Sequence, residues 1–362
     1  MNLLFDNIIY SKEKQGGISN YWYELTSRFL GDNYSTRFIE NIHDFKNLCR
    51  NKIIIPTDQL LTSTIKSQLL ARLSSVKVNT GDYYLYHSSF YRPLKTTDSY
   101  CEVTTLHDFT HNYYFPFHKR ILHNHFKYSA IKRSKGIICV SENTYRDMQK
   151  FCAPGKEKKT TVIYNGVSDE YYPIAGSEQA EHYLKQNGIE KDKFVLYVGG
   201  RAFYKNFDFA VEAVSELPGN IKLVTVGSKF TDSEIKKIQK LGAGKVINLS
   251  NISNLQLNLL YNNALCLLYP SNYEGFGIPV VEAMKAGCPV IAVNSSSIPE
   301  ISGDAVLLME KAEIGCFKKN IFLLGQRKEE LIDSGFKQSA RFSWEKCYKE
   351  TSQFYKEVYD ES

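Results

Sequence analysis

Residues 274–293, EGFGIPVVEAMKAGCPVIAV, join a glycine turn to a helix start and carry two acids, Glu274 and Glu282, seven residues apart in the gap between them. The run before them, ALCLLYPS (264–271), is apolar and bounded by Pro270, so it reads as a buried parallel strand. Ile278 to Ala286 has the spacing of a helix. Gly275 and Gly277 therefore occupy a strand-to-helix turn, where glycine lets a ligand approach the backbone closely. Amides at a helix start, with the dipole behind them, favour phosphate or electron-rich hydroxyl oxygens. Glu274, Gly275, Phe276, Gly277, Ile278 and Glu282 are thus candidates to hold a ligand rich in hydroxyls and phosphate, with the carboxylates accepting hydrogen bonds on either side of a diphosphate. Two glutamates alone are more often solvated surface groups; the surrounding turn gives this pair its meaning.

A second cluster is GGRAFYKNFDFAVEAV (199–214). Gly199 and Gly200 close a strand, and Arg201 and Lys205 stand four residues apart at the entrance to a helix. Arginine can grip two oxygens at once and lysine supplies a point charge, a combination suited to a departing diphosphate. In the first half, KQGGISNYWYEL (14–25) places Gly16 and Gly17 between a strand and a helix, a second place for backbone amides to face phosphate. No G-x-G-x-x-G follows that strand and no phosphate-loop G-x-x-x-x-G-K occurs, which counts against dehydrogenase and NTPase readings. His107 and Asp108 end the apparent strand in TLHDF (105–109), at the edge where open α/β sheets place ligands.

The segment from Glu274 through Gly287, Cys288 and Pro289 resembles the donor-binding motif of the retaining glycosyltransferases of family 4, which have the GT-B fold. GR-x-x-x-KN (200–206) is similar to a family pattern one residue longer, TLHDF resembles its H-D element, and SENTYRDM (141–148) and VIYNGV (162–167) resemble two further elements. The similarity spans nearly the whole chain and is weakest from about 30 to 80. It implies that Glu282 holds ribose hydroxyls, that Glu274 and the amides around Phe276 and Gly277 hold the donor sugar, and that Lys205 with Arg201 holds the diphosphate. It also implies that His107 contacts the sugar near the reacting carbon, with Asp108, Tyr91 and Arg92 on the acceptor side. The implied chemistry is a metal-independent front-face substitution with retention, in which the leaving phosphate helps deprotonate the acceptor. Neither a metal nor another cofactor is expected.

At 362 residues with 43% hydrophobic content, the chain is expected to form two α/β domains. Strand-like runs alternate with helical stretches in both halves: NLLFDNIIY, STRFIE, KIIIP, DYYLYHS, EVTTLHD, GIICVS and KTTVIYN, then FVLYVGG, IKLVTVG, KVINLS, CLLYPS, CPVIAV and AVLLME. The expected architecture is GT-B: a Rossmann-like acceptor domain over 1–175, a Rossmann-like nucleotide-sugar domain over 176–342 facing it across a cleft, and a helix over 343–362 crossing back to the first.

Residues 1–175 carry 23 Lys and Arg against 16 Asp and Glu, a net of +7, whereas 176–362 carry 22 against 23. The excess includes the segment 117–135, where Lys and Arg alternate with aromatics, a composition suited to an anionic membrane or a lipid pyrophosphate; a solvated helix face is its plainer reading. No nucleic-acid motif accompanies it. No stretch approaches the roughly 20 apolar residues of a membrane span, and the start is too polar for a signal peptide, so the expected location is the cytoplasm, including the inner membrane face. Eight scattered cysteines without C-x-x-C spacing are expected as reduced thiols. The compact Lys- and Tyr-rich chain is similar to bacterial enzymes of O-antigen or capsule assembly, and YHSSFYR (86–92) is most similar to members using GDP-mannose or GDP-deoxysugars. A UDP-sugar donor, a nucleotide-sugar epimerase of the same fold and a non-catalytic sugar-nucleotide subunit are the alternatives.

Overall fold

The computed structural model describes residues 1–41, 46–63, 74–174, 176, 178–242 and 245–362. Two compact units divide the chain: Met1–Gly166 with Trp344–Ser362, and Val167–Ser343. Residue 175, where the sequence places the boundary, lies outside the described residues; the stretch before it belongs to the second unit. There the Tyr171 ring meets Tyr261 at 5.9 Å, and Asn258 and Asn262 bond the backbone of Tyr172 and Ile174.

The first unit is built on strands β1 (Asn2–Asp6), β2 (Ser35–Asn41), β3 (Leu60–Ser63), β4 (Tyr84–Ser88), β5 (Tyr100–Leu106), β6 (Gly136–Cys139) and β7 (Lys159–Val162), all parallel, in the order β3-β2-β1-β4-β5-β6-β7. The central strands are buried on both faces, as a sheet covered twice requires. Register sets Phe5 beside His87 and Asp6 beside Ser88, so the loops after β1 and β4 emerge together. The expected strand at KIIIP does not form. Arg50–Lys52 is a 3₁₀ turn, Ile53 and Ile55 anchor inward while Ile54 is 89% exposed, and the sheet's edge is taken instead by β3.

Helices α1 (Gly17–Gly31) and α2 (Phe117–Arg133) belong to this unit. The second unit has strands β8 (Phe194–Val198), β9 (Lys222–Val226), β10 (Val246–Leu249), β11 (Cys266–Tyr269), β12 (Val290–Val293) and β13 (Leu307–Met309), parallel in the order β10-β9-β8-β11-β12-β13. Its helices include α3 (Phe207–Ser215) and α4 (Ile278–Ala286). Both sheets share the doubly wound order 3-2-1-4-5-6, with the reversal between their first and fourth strands.

The last helix, α5 (Trp344–Asp360), follows the second unit in sequence but completes the core of the first. Tyr355 stacks on Phe29 at 5.2 Å and Tyr348 meets the same ring edge-on at 4.8 Å. Burying an aromatic of this size stabilises by roughly 2 kcal/mol. Gly136 makes room for the helix, since a Cβ there would lie 2.7 Å from Val358 and 2.9 Å from Phe354.

Candidate functional site

In the second unit the loops after β8 and β11 meet at the sheet's reversal point. The first loop turns through a 3₁₀ segment, Phe203–Lys205, into Asn206, which adopts a left-handed φ of 50° at the start of α3. Its side-chain amide then donates to Pro270 O and Asn272 Oδ1, each at 2.8 Å, and the Asn272 amide donates back to Tyr204 O at 2.8 Å. This cross-stitch carries Lys205 to Glu274: the ammonium sits 2.7 Å from Oε1, with both side chains mostly buried. The Tyr269 phenol also bonds Glu274, and burial first, then that carboxylate, push its pKa well above the ordinary tyrosine value.

The glycine turn is held from a third loop, the serine run after β12. The Glu274 amide donates to Ser296 Oγ at 2.8 Å, and Ser297 Oγ donates to the carbonyls of Glu274 and Phe276 at 2.9 and 2.8 Å. Ser295 Oγ reaches Ser271 O at 2.9 Å. Helix α4 begins at Gly277, φ 104°, with Pro279 in its first turn, and ends at Gly287, φ 78°. A Cβ on Gly277 would stand 2.7 Å from Ile298 Cδ1, so glycine is required here both by conformation and by space. Phe276 turns its ring inward against Phe342, and its backbone alone faces the turn.

Glu282 projects from α4 at half-buried depth and accepts from Tyr261 at 3.0 Å, with the Tyr171 phenol also bonded to it. Burial raises its pKa from the ordinary 4.5 to about 7, against the lowering effect of the two phenols.

The structure brings Lys205 to Glu274 but does not bring Arg201 with it. Arg201, 5% exposed, donates to Glu234 at 2.7 and 3.3 Å, to Ser228 and to Lys229 O, and lies over the Phe230 and Phe207 rings. Its hydrogen bond is the main cause that depresses the Glu234 pKa to about 2. Gly200 lies in the loop, its carbonyl accepting from the Tyr197 phenol at 2.9 Å.

In the first unit, Gly16 is extended and Gly17 opens α1. A first-turn amide, that of Ser19, is already taken by Glu13 Oε1 at 3.0 Å, so an internal carboxylate sits at this helix start. His107 packs edge-on to Tyr21 at 5.0 Å, and burial lowers its pKa to about 4. Burial would raise Asp108, but the buried Lys127 and the Thr110 amide at 2.9 Å outweigh it and hold the carboxyl below its usual value. Lys127 donates to Asp108 O at 2.5 Å. Arg92, expected on the acceptor side, is 1% exposed and locked onto the fully buried Asp6, so it anchors the loop after β4 instead of facing a ligand. Tyr91 is buried with φ 58°, and its phenol bonds the His107 backbone.

Sequence reading missed Asn206, Tyr261, Tyr171 and the serines 295–297. A signal was present for the serines: a run of three just past a strand, at the carboxyl edge where the other loops converge. Among the described residues no group of three or more His, Cys, Asp or Glu gathers to hold a metal, and no helix is long and apolar enough to cross a membrane.

Comparison with known proteins places this fold in a family. The chain matches Glycosyltransferase Family 4 over residues 15–171 and Glycosyl transferases group 1 over residues 179–333. It is 28% identical over 288 residues to the O-antigen chain mannosyltransferase B of Escherichia coli, covering 75% of this chain and 74% of that one. It is 29% identical over 212 residues to the O-antigen chain mannosyltransferase RfbU of Salmonella typhimurium, covering 57% of this chain and just over half, 56%, of the relative. Its backbone superposes on sucrose-phosphate synthase of Thermosynechococcus elongatus with a TM-score of 0.76 at 17% identity, over 100% of both chains. Two family matches that together span most of the chain, and a pair of doubly wound sheets beneath them, make this protein a glycosyltransferase of group 1 and family 4 with the GT-B fold.

Proposed function

We propose that the protein transfers mannose, or a GDP-linked deoxysugar, from a nucleoside-diphosphate donor to a lipid-linked glycan acceptor, with retention of anomeric configuration, in the assembly of an O-antigen or capsule-type polysaccharide. The observation that carries the donor side is the Lys205–Glu274 pair at 2.7 Å, held where two loops meet at the sheet's reversal point, with Glu282 about one turn into the helix that follows. Mannose rests on the O-antigen mannosyltransferases that the chain is similar to.

In this reading Glu282 accepts from the ribose hydroxyls with the lone pairs that Tyr261 and Tyr171 leave open. Glu274 holds a donor-sugar hydroxyl and also fixes the ammonium of Lys205 beside the diphosphate. As the bond from the anomeric carbon to the phosphate oxygen breaks, charge grows on that phosphate, and Lys205 stabilises it there. The acceptor oxygen attacks from the same face and passes its proton to the departing phosphate oxygen, so no protein base is needed. His107, neutral above about pH 4, offers a hydrogen bond near the reacting carbon without adding charge. Arg201 serves through position, fixing the loop that ends in Lys205. No metal takes part, so chelator leaves turnover unchanged.

The exposed Phe117, Ile121 and Leu122 on α2, with Lys119 beside them, would seat this unit on an anionic membrane that presents the acceptor. Transfer from GDP-mannose to a membrane extract, with NMR of the new linkage, tests the reading. An α-linked product from the α-configured donor supports it; an inverted linkage or turnover only with UDP-sugars overturns its mechanism or its donor.

A further inference from the structure

The donor loops of the second unit follow its first and fourth strands, on either side of the point where strand order reverses. The first unit has the same strand order, so its own reversal point lies between the ends of β1 and β4. What the sequence puts there is Lys12 from the loop after β1 and Phe90 from the loop after β4, and the two meet: Lys12 Nζ lies 3.1 Å above the centre of the Phe90 ring. Next to Phe90 is His123 at 5.8 Å, which stacks on His111 at 3.7 Å with ring planes 9° apart. The wall continues the loop that carries Tyr91, a bulky residue in the left-handed region, a conformation that clusters at binding sites because the surrounding structure must hold it there.

The charge at this place is one-sided. From 109 to 141 the chain has six Lys and Arg and four His, with no Asp or Glu. The Asp108 carboxylate accepts from the Thr110 amide and is held below its usual value, against burial, by the charge of Lys127, and Glu13, next to Lys12 in the chain, accepts from the Ser19 amide. Lys12 is exposed; burial first, and after it the charges of Lys127 and Lys12, lower the titration of His107, His111 and His123. A cation over an aromatic face, flanked by flat rings, matches a ligand with a negatively charged group next to an apolar or sugar face.

From this juxtaposition we infer that Lys12, Phe90, His111 and His123 form a second ligand site, specific for a phosphate or pyrophosphate ester that carries the acceptor sugar. Lys12 in this unit has the place that Lys205 has in the other. Its identification with the acceptor rests on the transferase reading; the anion site itself does not. Two sources share this chemistry, a polyprenyl pyrophosphate and a soluble sugar phosphate.

Calorimetry on the full chain separates these possibilities. In a Lys205→Met background, inorganic pyrophosphate should still bind, and adding Lys12→Gln should weaken that binding about tenfold, the size of one charged hydrogen bond lost. Phe90→Leu, which keeps the charge and removes the ring, should weaken it less but weaken farnesyl pyrophosphate more. Equal pyrophosphate affinity with and without Lys12 would overturn the site. Farnesyl pyrophosphate bound more tightly than mannose 1-phosphate supports the lipid source, and the reverse order supports the soluble one. Nucleoside diphosphates, titrated into Lys12→Gln alone, should bind as in the wild type; if they bind to neither protein, the donor reading fails while the anion site stands on its pyrophosphate result.

Discussion

Glu282 holds a carboxylate that folding disfavours and that the proposed donor site uses. Between about pH 4.5 and pH 7 the folded carboxyl keeps a proton that the unfolded one has lost, so its stabilising share is full below 4.5 and gone once pH passes 7. Glu282→Gln should therefore raise stability at pH 8 by about 2 kcal/mol, after allowing for partial solvent access, and leave it nearly unchanged at pH 4.5; urea midpoints at the two values check this. The same substitution should weaken nucleotide-sugar binding at pH 8, and wild-type affinity should climb as pH rises through 7. Gain in one and loss in the other is the signature of a binding carboxylate. The two cations separate likewise. Lys205→Met should lower turnover about a hundredfold, whereas Arg201→Leu should act mainly on stability; each strands a partly buried carboxylate, Glu274 or Glu234, and should cost about 2 kcal/mol. That Lys205 and Glu274 lie at one edge of the sheet was legible in sequence, because both sit in turns that lead into helices. The partners of Arg201 and Arg92 were not, because spacing shows that a cation is near a site and says nothing of the carboxylates, half-buried Glu234 and fully buried Asp6, that capture it.

Helices and turns around the site depend on small residues whose reason appears only in three dimensions. Gly277→Ala places a methyl group in a left-handed backbone and against Ile298, and should destabilise by about 2 kcal/mol while it shifts the first turn of α4 under the ligand. Gly136→Ala meets α5 instead and should destabilise by a similar amount without touching donor affinity, which denaturation and nucleotide titration together would establish. Strands in both halves were readable as apolar runs ending in glycine or a polar turn, and the break in KIIIP was not, because Ile53 and Ile55 alternate inward just as a strand would. What stops it is long-range: β3 pairs with β2 from Phe38 to Asn41 and leaves no edge for it. The serine run after β12 was passed over because only its place at the carboxyl edge marked it, yet Ser296 and Ser297 hold the glycine turn and Ser295 holds the backbone of Ser271.

At the scale of the whole molecule the charge excess lies in the first unit, with an exposed apolar cluster at Phe117, Ile121 and Leu122, and the proposed nucleotide-sugar site lies in the second, which exposes Phe203 and Phe322 of its own. Replacing Phe117, Ile121 and Leu122 by Ser should reduce sedimentation with phosphatidylglycerol vesicles several-fold and leave transfer to a soluble acceptor intact, since the three are exposed and outside both sites. Unchanged sedimentation would remove the membrane from the account. The shared strand order of the two units explains why the two proposed ligand sites fall on loops at equivalent places in a chain whose halves differ in charge. The central claim is a nucleotide-sugar site built on Lys205, Glu274 and Glu282, and it is tested most directly by calorimetric titration at pH 8 of the wild type and Lys205→Met with GDP, UDP, ADP and dTDP and their common sugar conjugates. The account predicts selective binding of one diphosphate, GDP first among them, weakened at least tenfold by the substitution. Binding of none, or binding untouched by the loss of Lys205, would contradict it.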